Sequence, residues 1–201
     1  MPQLDLEDFS IGYPMWARLC KAFLVEARWF HKQHTPTLKE YLDNGWVSTS
    51  CPLIVSYLYT LMLQKMTEED VDDINKYEKL ISLMSLIFRL CDDLATSKAE
   101  TERGDVAKSI ECYMHEAKVS EEVAREHMKH LIDDAWKELN EYCLQSSHLH
   151  RPFVNAVINC ARGGSFLYNH GDDFGRPSHE ADLQAAKLFF QPIPLSGPNQ
   201  K

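Results

Sequence analysis

The run Leu80-Ile81-Ser82-Leu83-Met84-Ser85-Leu86-Ile87-Phe88 is apolar nearly all the way round a helical projection, and it leads directly toward Asp92 and Asp93. A helix without a polar face has to be enclosed by others, so this run predicts the central rod of a bundle. Elsewhere apolar residues recur at a spacing near 3.6, and alternating strand patterns are lacking, which predicts an all-α chain. Ile81, Ser85 and Phe88 project onto the same face as Asp92. Acids at the end of an enclosed helix are expected to point into a cavity rather than into bulk water.

Within Arg89-Leu90-Cys91-Asp92-Asp93-Leu94-Ala95-Thr96-Ser97-Lys98-Ala99-Glu100, the residues Asp92, Thr96 and Glu100 fall at i, i+4 and i+8. Each step of four advances a helix by about 40° and about 6 Å, so the three side chains form one stripe. Carboxylate, hydroxyl and carboxylate make an all-oxygen set suited to a hard divalent cation. Mg²⁺ is expected, with Mn²⁺ as the alternative, and waters and phosphate oxygens fill the other positions. Arg89, a turn below, can grip the same phosphates through its planar fork. The competing reading is a solvated acidic face made of Asp92, Asp93, Glu100 and Glu102.

The chain has 201 residues, enough for one domain with a sizeable core. Its formal net charge of −9 argues against nucleic acid or an anionic membrane surface as partner. No apolar run approaches the ~18 residues of a membrane span. The six cysteines lie far apart without a C-x-x-C pair, and they read as small buried hydrophobes in a reducing compartment. The acidic opening, Met1 to Asp8, is unlike a signal peptide or an Arg/Ser-rich transit peptide, so the cytoplasm is the default expectation.

The periodicity places a first helix over Tyr13 to Lys32, with Trp16, Leu19, Cys20, Phe23, Leu24 and Ala27 inward. Thr35 or Thr37 caps a second helix. A break falls at Val47-Ser48-Thr49-Ser50-Cys51-Pro52, where Pro52 disfavours helix at Cys51. The next helix runs on through Leu61 to Gln64. Thr67, followed by Asp70, caps the long acidic helix, which ends at Gly104. A short helix follows from about Val106 to Glu116, and Ser120 opens another that reaches Cys143. Pro152 begins a helix ending near Tyr168, Ser178 caps a last one, and Ser196 to Lys201 are expected to fray. The break has two readings: its hydroxyls bond back to their own carbonyls, or Ser48, Thr49, Ser50 and Cys51 line a pocket. Gly171-Asp172-Asp173-Phe174-Gly175-Arg176 reads as a polar turn. His127 and His130, like His148 and His150, lack a convergent third ligand, and Asp133-Asp134 and Asp72-Asp73 read as solvated faces.

The acidic stretch resembles the second metal-binding motif of class I terpene synthases, Asn/Asp-Asp-Leu-x-Ser/Thr-x-x-x-Glu, at every defined position. The flanks are similar too. Upstream they include Leu19 to Ala27 and Thr35 to Leu42; downstream, Glu102 to Val106, Ser109 to Met114, Tyr168 to Asp172 and Pro192 to Leu195. The likeness runs from about Tyr13 to Leu195 and is closest to the plant monoterpene synthase branch. It implies an all-α fold, part of a class I terpenoid synthase helical bundle. Residues 1–12 then form an atypical start, 13–195 the C-terminal part of a metal-binding α-domain, and 196–201 a flexible tail.

By the same resemblance, Asp92, Thr96 and Glu100 are metal ligands, and Arg89 with Ser48, Thr49, Ser50 and Cys51 faces the substrate. Tyr168 steadies a carbocation with its ring, and Asp172 anchors a loop that excludes water or assists proton removal. The implied substrate is a prenyl diphosphate, geranyl diphosphate first, ionised with loss of diphosphate and then cyclised or deprotonated. The family also carries an upstream D-D-x-x-D motif, which is absent from this chain. The sequence therefore looks like the C-terminal portion of a plant synthase whose intact parent could be plastidial. The alternative function is a helical remnant or interaction module without turnover.

Overall fold

The structure is a computed structural model that describes residues 12–63, 74–146 and 149–168 and a few isolated positions beyond. Among these residues it is all-α. The helices are α1 (Gly12–Lys32), α2 (Leu38–Ser48), α3 (Cys51–Met62), α4 (Glu78–Arg103), α5 (Ser109–Ala117), α6 (Glu121–Gln145) and α7 (Arg151–Leu167). No helix of the described residues is long and apolar enough to cross a membrane.

The apolar run became the central rod. A 3-10 turn, Ile74–Tyr77, leads into α4, and Gly104 ends it at φ 78°, a left-handed value open to a residue without Cβ. Leu80, Met84 and Ile87 of α4 are fully buried among Val55 and Tyr59 of α3, Leu139 of α6, and Phe153 and Val157 of α7. Phe153 packs edge-on against both Tyr59 and Tyr77, with ring centroids 4.9 and 4.8 Å apart. A second cluster joins Leu38, Leu90, Ile110, Ala124 and Met128, so α4 threads both cores and α6 flanks it in each. Burial of this kind supplies most of the driving force for folding, at roughly 25 cal/mol per Å² of apolar area.

Local signals set the other boundaries. Thr37 rather than Thr35 caps α2: its hydroxyl accepts from the Glu40 amide at 3.2 Å while Glu40 Oε2 accepts from the Thr37 amide at 2.9 Å. Cys51 begins α3, contrary to the expectation that Pro52 would bar helix there. Pro52 lies in the first turn, where its missing N–H goes unneeded, and the break falls one residue earlier at Ser50, φ 65°. The short helix α5 starts at Ser109 rather than Val106, because Lys108 is extended and Glu111 accepts from its amide. Ser120 caps α6 as expected, with the Val123 amide donating to its hydroxyl. Thr67, Asp70 and Ser178 lie outside the described residues. The expected cap at Thr67 is nonetheless corrected: α4 begins only at Glu78, after Tyr77 of the 3-10 turn. The preceding helix, α3, ends at Met62, short of Gln64, because Leu63 is extended.

The inward face assigned to α1 is corrected. Leu19 and Ala22 are buried, whereas Trp16, Cys20, Phe23, Leu24 and Ala27 are exposed. The side that packs on α2 is more polar than expected: Arg18 stacks over the Trp46 ring at 4.5 Å, and Asn44 donates to the Ala22 carbonyl. Periodicity marks which face of a helix is apolar, but not which neighbour lies against it.

Candidate metal centre

The i, i+4, i+8 stripe forms on one side of unbroken helix in α4. Thr96 Oγ1 lies 2.9 Å from the Asp92 carbonyl oxygen and 3.0 Å from Glu100 Oε2, so Glu100 leans back toward Thr96 as helical side chains do. Asp92 and Glu100 side chains are 19% and 18% exposed and Thr96 is buried. A solvated face therefore describes Glu102, which is exposed, and not the stripe. Burial pushes the Asp92 carboxyl up from its ordinary value. Arg89 opposes that rise, Asp93 adds to it, a hydrogen bond from Tyr168 opposes it, and Glu100 adds the last contribution. A cation bound beside Asp92 would relieve the cost of its burial and of the neighbouring negative charge.

Arg89 is turned inward. Its Nη1 lies 3.2 Å from both Asp92 Oδ2 and Asp93 Oδ1. Burial works against its charge, but Asp93, Tyr41 and Asp92 outweigh it and hold the guanidinium pKa well above the ordinary value. Its Nε is buried without a partner. The sequence reading missed two participants. Asp93 is fully buried and accepts from the Tyr41 hydroxyl at 3.1 Å and from the Ser109 amide at 3.2 Å. Lys108 brings its Nζ to 3.7 Å from Glu100 Oε1, with Arg103 at 3.9 Å. The signal for Lys108 was Gly104: a left-handed stop folds the following residues back beside the helix they leave.

The α2–α3 break adjoins this cluster. Ser48 Oγ donates to the Gly45 carbonyl at 3.3 Å and Thr49 Oγ1 to that of Trp46 at 3.0 Å, as the first reading of the break expected. Gly45 backs onto Arg89: a Cβ there would sit 3.5 Å from Arg89 Cγ, in ordinary van der Waals contact. Burial pushes the Cys51 thiol up to about 11, and the charges of Arg89 and Asp92 are felt there. Tyr168 ends α7 and meets Phe88 edge-on at 5.6 Å, next to Gly164. Asp172 lies outside the described residues. Behind the stripe, Arg125 of α6 donates to the Leu94 carbonyl at 2.8 Å and to Ser97 Oγ at 2.9 Å, and its Nε bonds Glu121 at 2.7 Å. Asp133 and Asp134 are exposed, with Asp134 bonded to Lys137. His127 stacks on Tyr113 at 4.1 Å, away from any ligand set.

Among the described residues no three His, Cys, Asp or Glu side chains converge as a metal cage. Two carboxylates and a hydroxyl fit a hard cation that takes its remaining oxygens from water or a ligand. The orphaned Arg89 Nε–H at one end of the stripe and Lys108 at the other are donors suited to an anion beside it. Fold and stripe together define an all-helical metal-binding domain. A family model described as "Terpene synthase family, metal binding domain" matches residues 11–138, and the chain belongs to the terpene synthase family.

The chain is 52% identical to a sesquiterpene synthase of Cananga odorata over 89% of its own length and 33% of that protein's. It is 50% identical to a chloroplastic alpha-thujene synthase of Litsea cubeba, over 87% of this chain and 30% of that one. Relatives from both the sesquiterpene and monoterpene branches thus match, and the chain spans about a third of their length. Its fold is similar to isoprene synthase from grey poplar in complex with three Mg²⁺ ions and dimethylallyl-S-thiolodiphosphate. That match has a TM-score of 0.78 and 39% identity, over 91% of this chain and 35% of the other. It is also similar to limonene synthase with 2-fluorolinalyl diphosphate, at a TM-score of 0.82 and 36% identity, over 90% of this chain and 33% of the other.

Proposed function

We propose that this chain carries one half of a Mg²⁺-dependent site that ionises a prenyl diphosphate, geranyl diphosphate first. The observation that carries the reading is the half-buried stripe of Asp92, Thr96 and Glu100 flanked by Arg89 and Lys108. The three oxygen ligands would hold Mg²⁺, which when bound neutralises charge on the departing diphosphate. Arg89 and Lys108 bind that diphosphate from either end of the stripe. As the carbon–oxygen bond breaks, its electron pair leaves with the diphosphate, and stabilising that charge is the main catalytic task. Cys51 and the break residues Ser48, Thr49 and Ser50 shape the substrate side. Tyr168 holds Asp92 and offers a ring near the carbocation, and Asp172 assists water exclusion or proton removal. Relatives named chloroplastic support a plastidial location for an intact parent protein.

A second reading concerns the chain alone. It lacks D-D-x-x-D, and α1 exposes Trp16, Phe23, Leu24 and Phe30 along one side. An apolar face of that size calls for a partner, and a further segment of chain, as the greater length of the relatives allows, would supply it. By itself the chain should give negligible product from geranyl diphosphate and Mg²⁺. Joined to the upstream part of a related synthase it should give terpene, detected by gas chromatography, and Asp92→Ala should remove most of it. Turnover by the isolated chain would overturn the second reading; a chimera indifferent to Asp92→Ala would overturn the first.

A further inference from the structure

We propose that Asp93 is a positioning residue whose single buried carboxylate aims both cationic arms of the site, Arg89 through one oxygen and Lys108 through the other. The inference rests on the reading that these arms meet a diphosphate. Oδ1 accepts from Arg89 Nη1 at 3.2 Å and from the Tyr41 hydroxyl at 3.1 Å, and Oδ2 accepts from the Ser109 amide at 3.2 Å. One carboxylate therefore ties α4 to α2 and to the first residue of α5.

Ser109 directly follows Lys108, whose backbone is extended at φ −97°, ψ −173° and whose amide donates to Glu111 Oε2 at 3.0 Å. With the amides on both sides of the Lys108 Cα held, its side chain has a fixed root from which to reach Glu100. Asp93 is turned about 100° from Asp92 around the helix, is fully buried, and spends its oxygens on Arg89, Tyr41 and Ser109. Three donors, one of them the cationic Arg89, already meet its two oxygens.

Two buried side-chain polar atoms among the described residues lack a partner, Arg89 Nε and Ser109 Oγ. Both belong to residues that Asp93 holds. Burying a charge while leaving its neighbours unsatisfied is a poor arrangement for stability alone, since an apolar cluster of like volume does as well or better. It suits a node whose task is to hold Arg89 in place beside the stripe.

The test uses the purified chain, Mg²⁺ and inorganic pyrophosphate in isothermal titration calorimetry. Asp93→Asn keeps the shape and removes the charge; it should weaken pyrophosphate binding to the Mg²⁺-loaded chain about tenfold, the worth of one charge-assisted hydrogen bond. Mg²⁺ affinity should hold within about twofold, whereas Asp92→Asn should lower it. Ser109→Pro deletes the donor to Oδ2 at the first helical position, where proline is tolerated, and should weaken pyrophosphate binding by a smaller factor. It keeps the test alive should Asp93→Asn fail to fold. Loss of Mg²⁺ affinity equal to that of Asp92→Asn would make Asp93 a ligand and overturn the proposal, as would unchanged pyrophosphate binding. If the unaltered chain takes up no pyrophosphate, this half of the site does not hold the anion without the other half, and the proposed function is judged by the chimera. Ligand-free amide exchange over 108–112 and the Arg89 side-chain NMR signals then judge Asp93. Faster exchange and shifted signals in Asp93→Asn support positioning, and unchanged ones overturn it.

Discussion

Gly163→Ala and Gly164→Ala are neighbouring, chemically identical changes in α7 that should move stability in opposite directions. At Gly163 an added Cβ meets nothing within 4 Å, so the change should bring only the helix-propensity gain of about 1 kcal/mol. At Gly164 the same atom would lie 2.5 Å from Phe88 Cδ2, 3.1 Å from Cε2 and 3.2 Å from Cγ. Ring rotation moves the first two atoms but cannot move Cγ, so the whole Phe88 side chain or the helix must shift. Overpacking of this kind costs about 1–3 kcal/mol, which cancels the propensity gain and leaves Gly164→Ala about 0–2 kcal/mol less stable. The two variants should then differ by about 1–3 kcal/mol. For a chain of this size that is a gap of roughly 2–12 °C in Tm. Urea melts followed by tryptophan fluorescence would show it as a difference in midpoint at constant slope. Equal stabilisation by both substitutions would refute the packing of Phe88 under α7.

Asp92→Ala and Glu100→Ala should each weaken Mg²⁺ binding by the purified chain, while Asp133→Ala and Asp134→Ala should leave a calorimetric titration unchanged; matched losses would make the stripe an ordinary acidic face. Thr37→Ala should cost about 1 kcal/mol in a denaturant melt through loss of the α2 cap. Hydrogen bonding to Thr37 lowers the Glu40 pKa, so its contribution is present above its unfolded value and fades as pH falls through the folded one. Glu40→Gln should flatten that acid limb, and an unaltered pH profile would count against the capping box. Of the six cysteines, Cys20 is exposed, whereas burial raises the pKa of the other five, that of Cys112 to about 12. Ellman's reagent at pH 8 should therefore label one thiol quickly in the native chain and all of them in urea, and two fast thiols would contradict the burial of the rest.

The acidic helix was legible because its signals are local: an all-round apolar run, an i, i+4, i+8 stripe and a glycine stop lie within one element. Ser120 as a cap and Pro152 in a first turn were readable for the same reason. Asp93 was passed over because its partners, Tyr41 and Ser109, come from other helices, and spacing along one helix says nothing about who arrives from across a core. Lys108 was hidden in the same way by the turn at Gly104. The outward side of α1 failed for a different reason, since Trp16 and Phe23 look like core residues in a helical projection whichever way the helix is docked.

The grip of Arg125 on the Leu94 carbonyl and Ser97 carries a consequence for how substitutions are tolerated along the chain. One guanidinium serves two acceptors on α4 and Glu121 on its own helix, a geometry that a lysine ammonium, a point charge on a flexible stem, does not reproduce. The turn of α4 that it clasps from the rear is the turn that presents Thr96 in front. A library of variants across α6 would thus be permissive at Glu122, Lys129 and Asp133 and intolerant at Arg125, even to lysine. Constraint on the acid stripe would then be read on a helix that holds none of it.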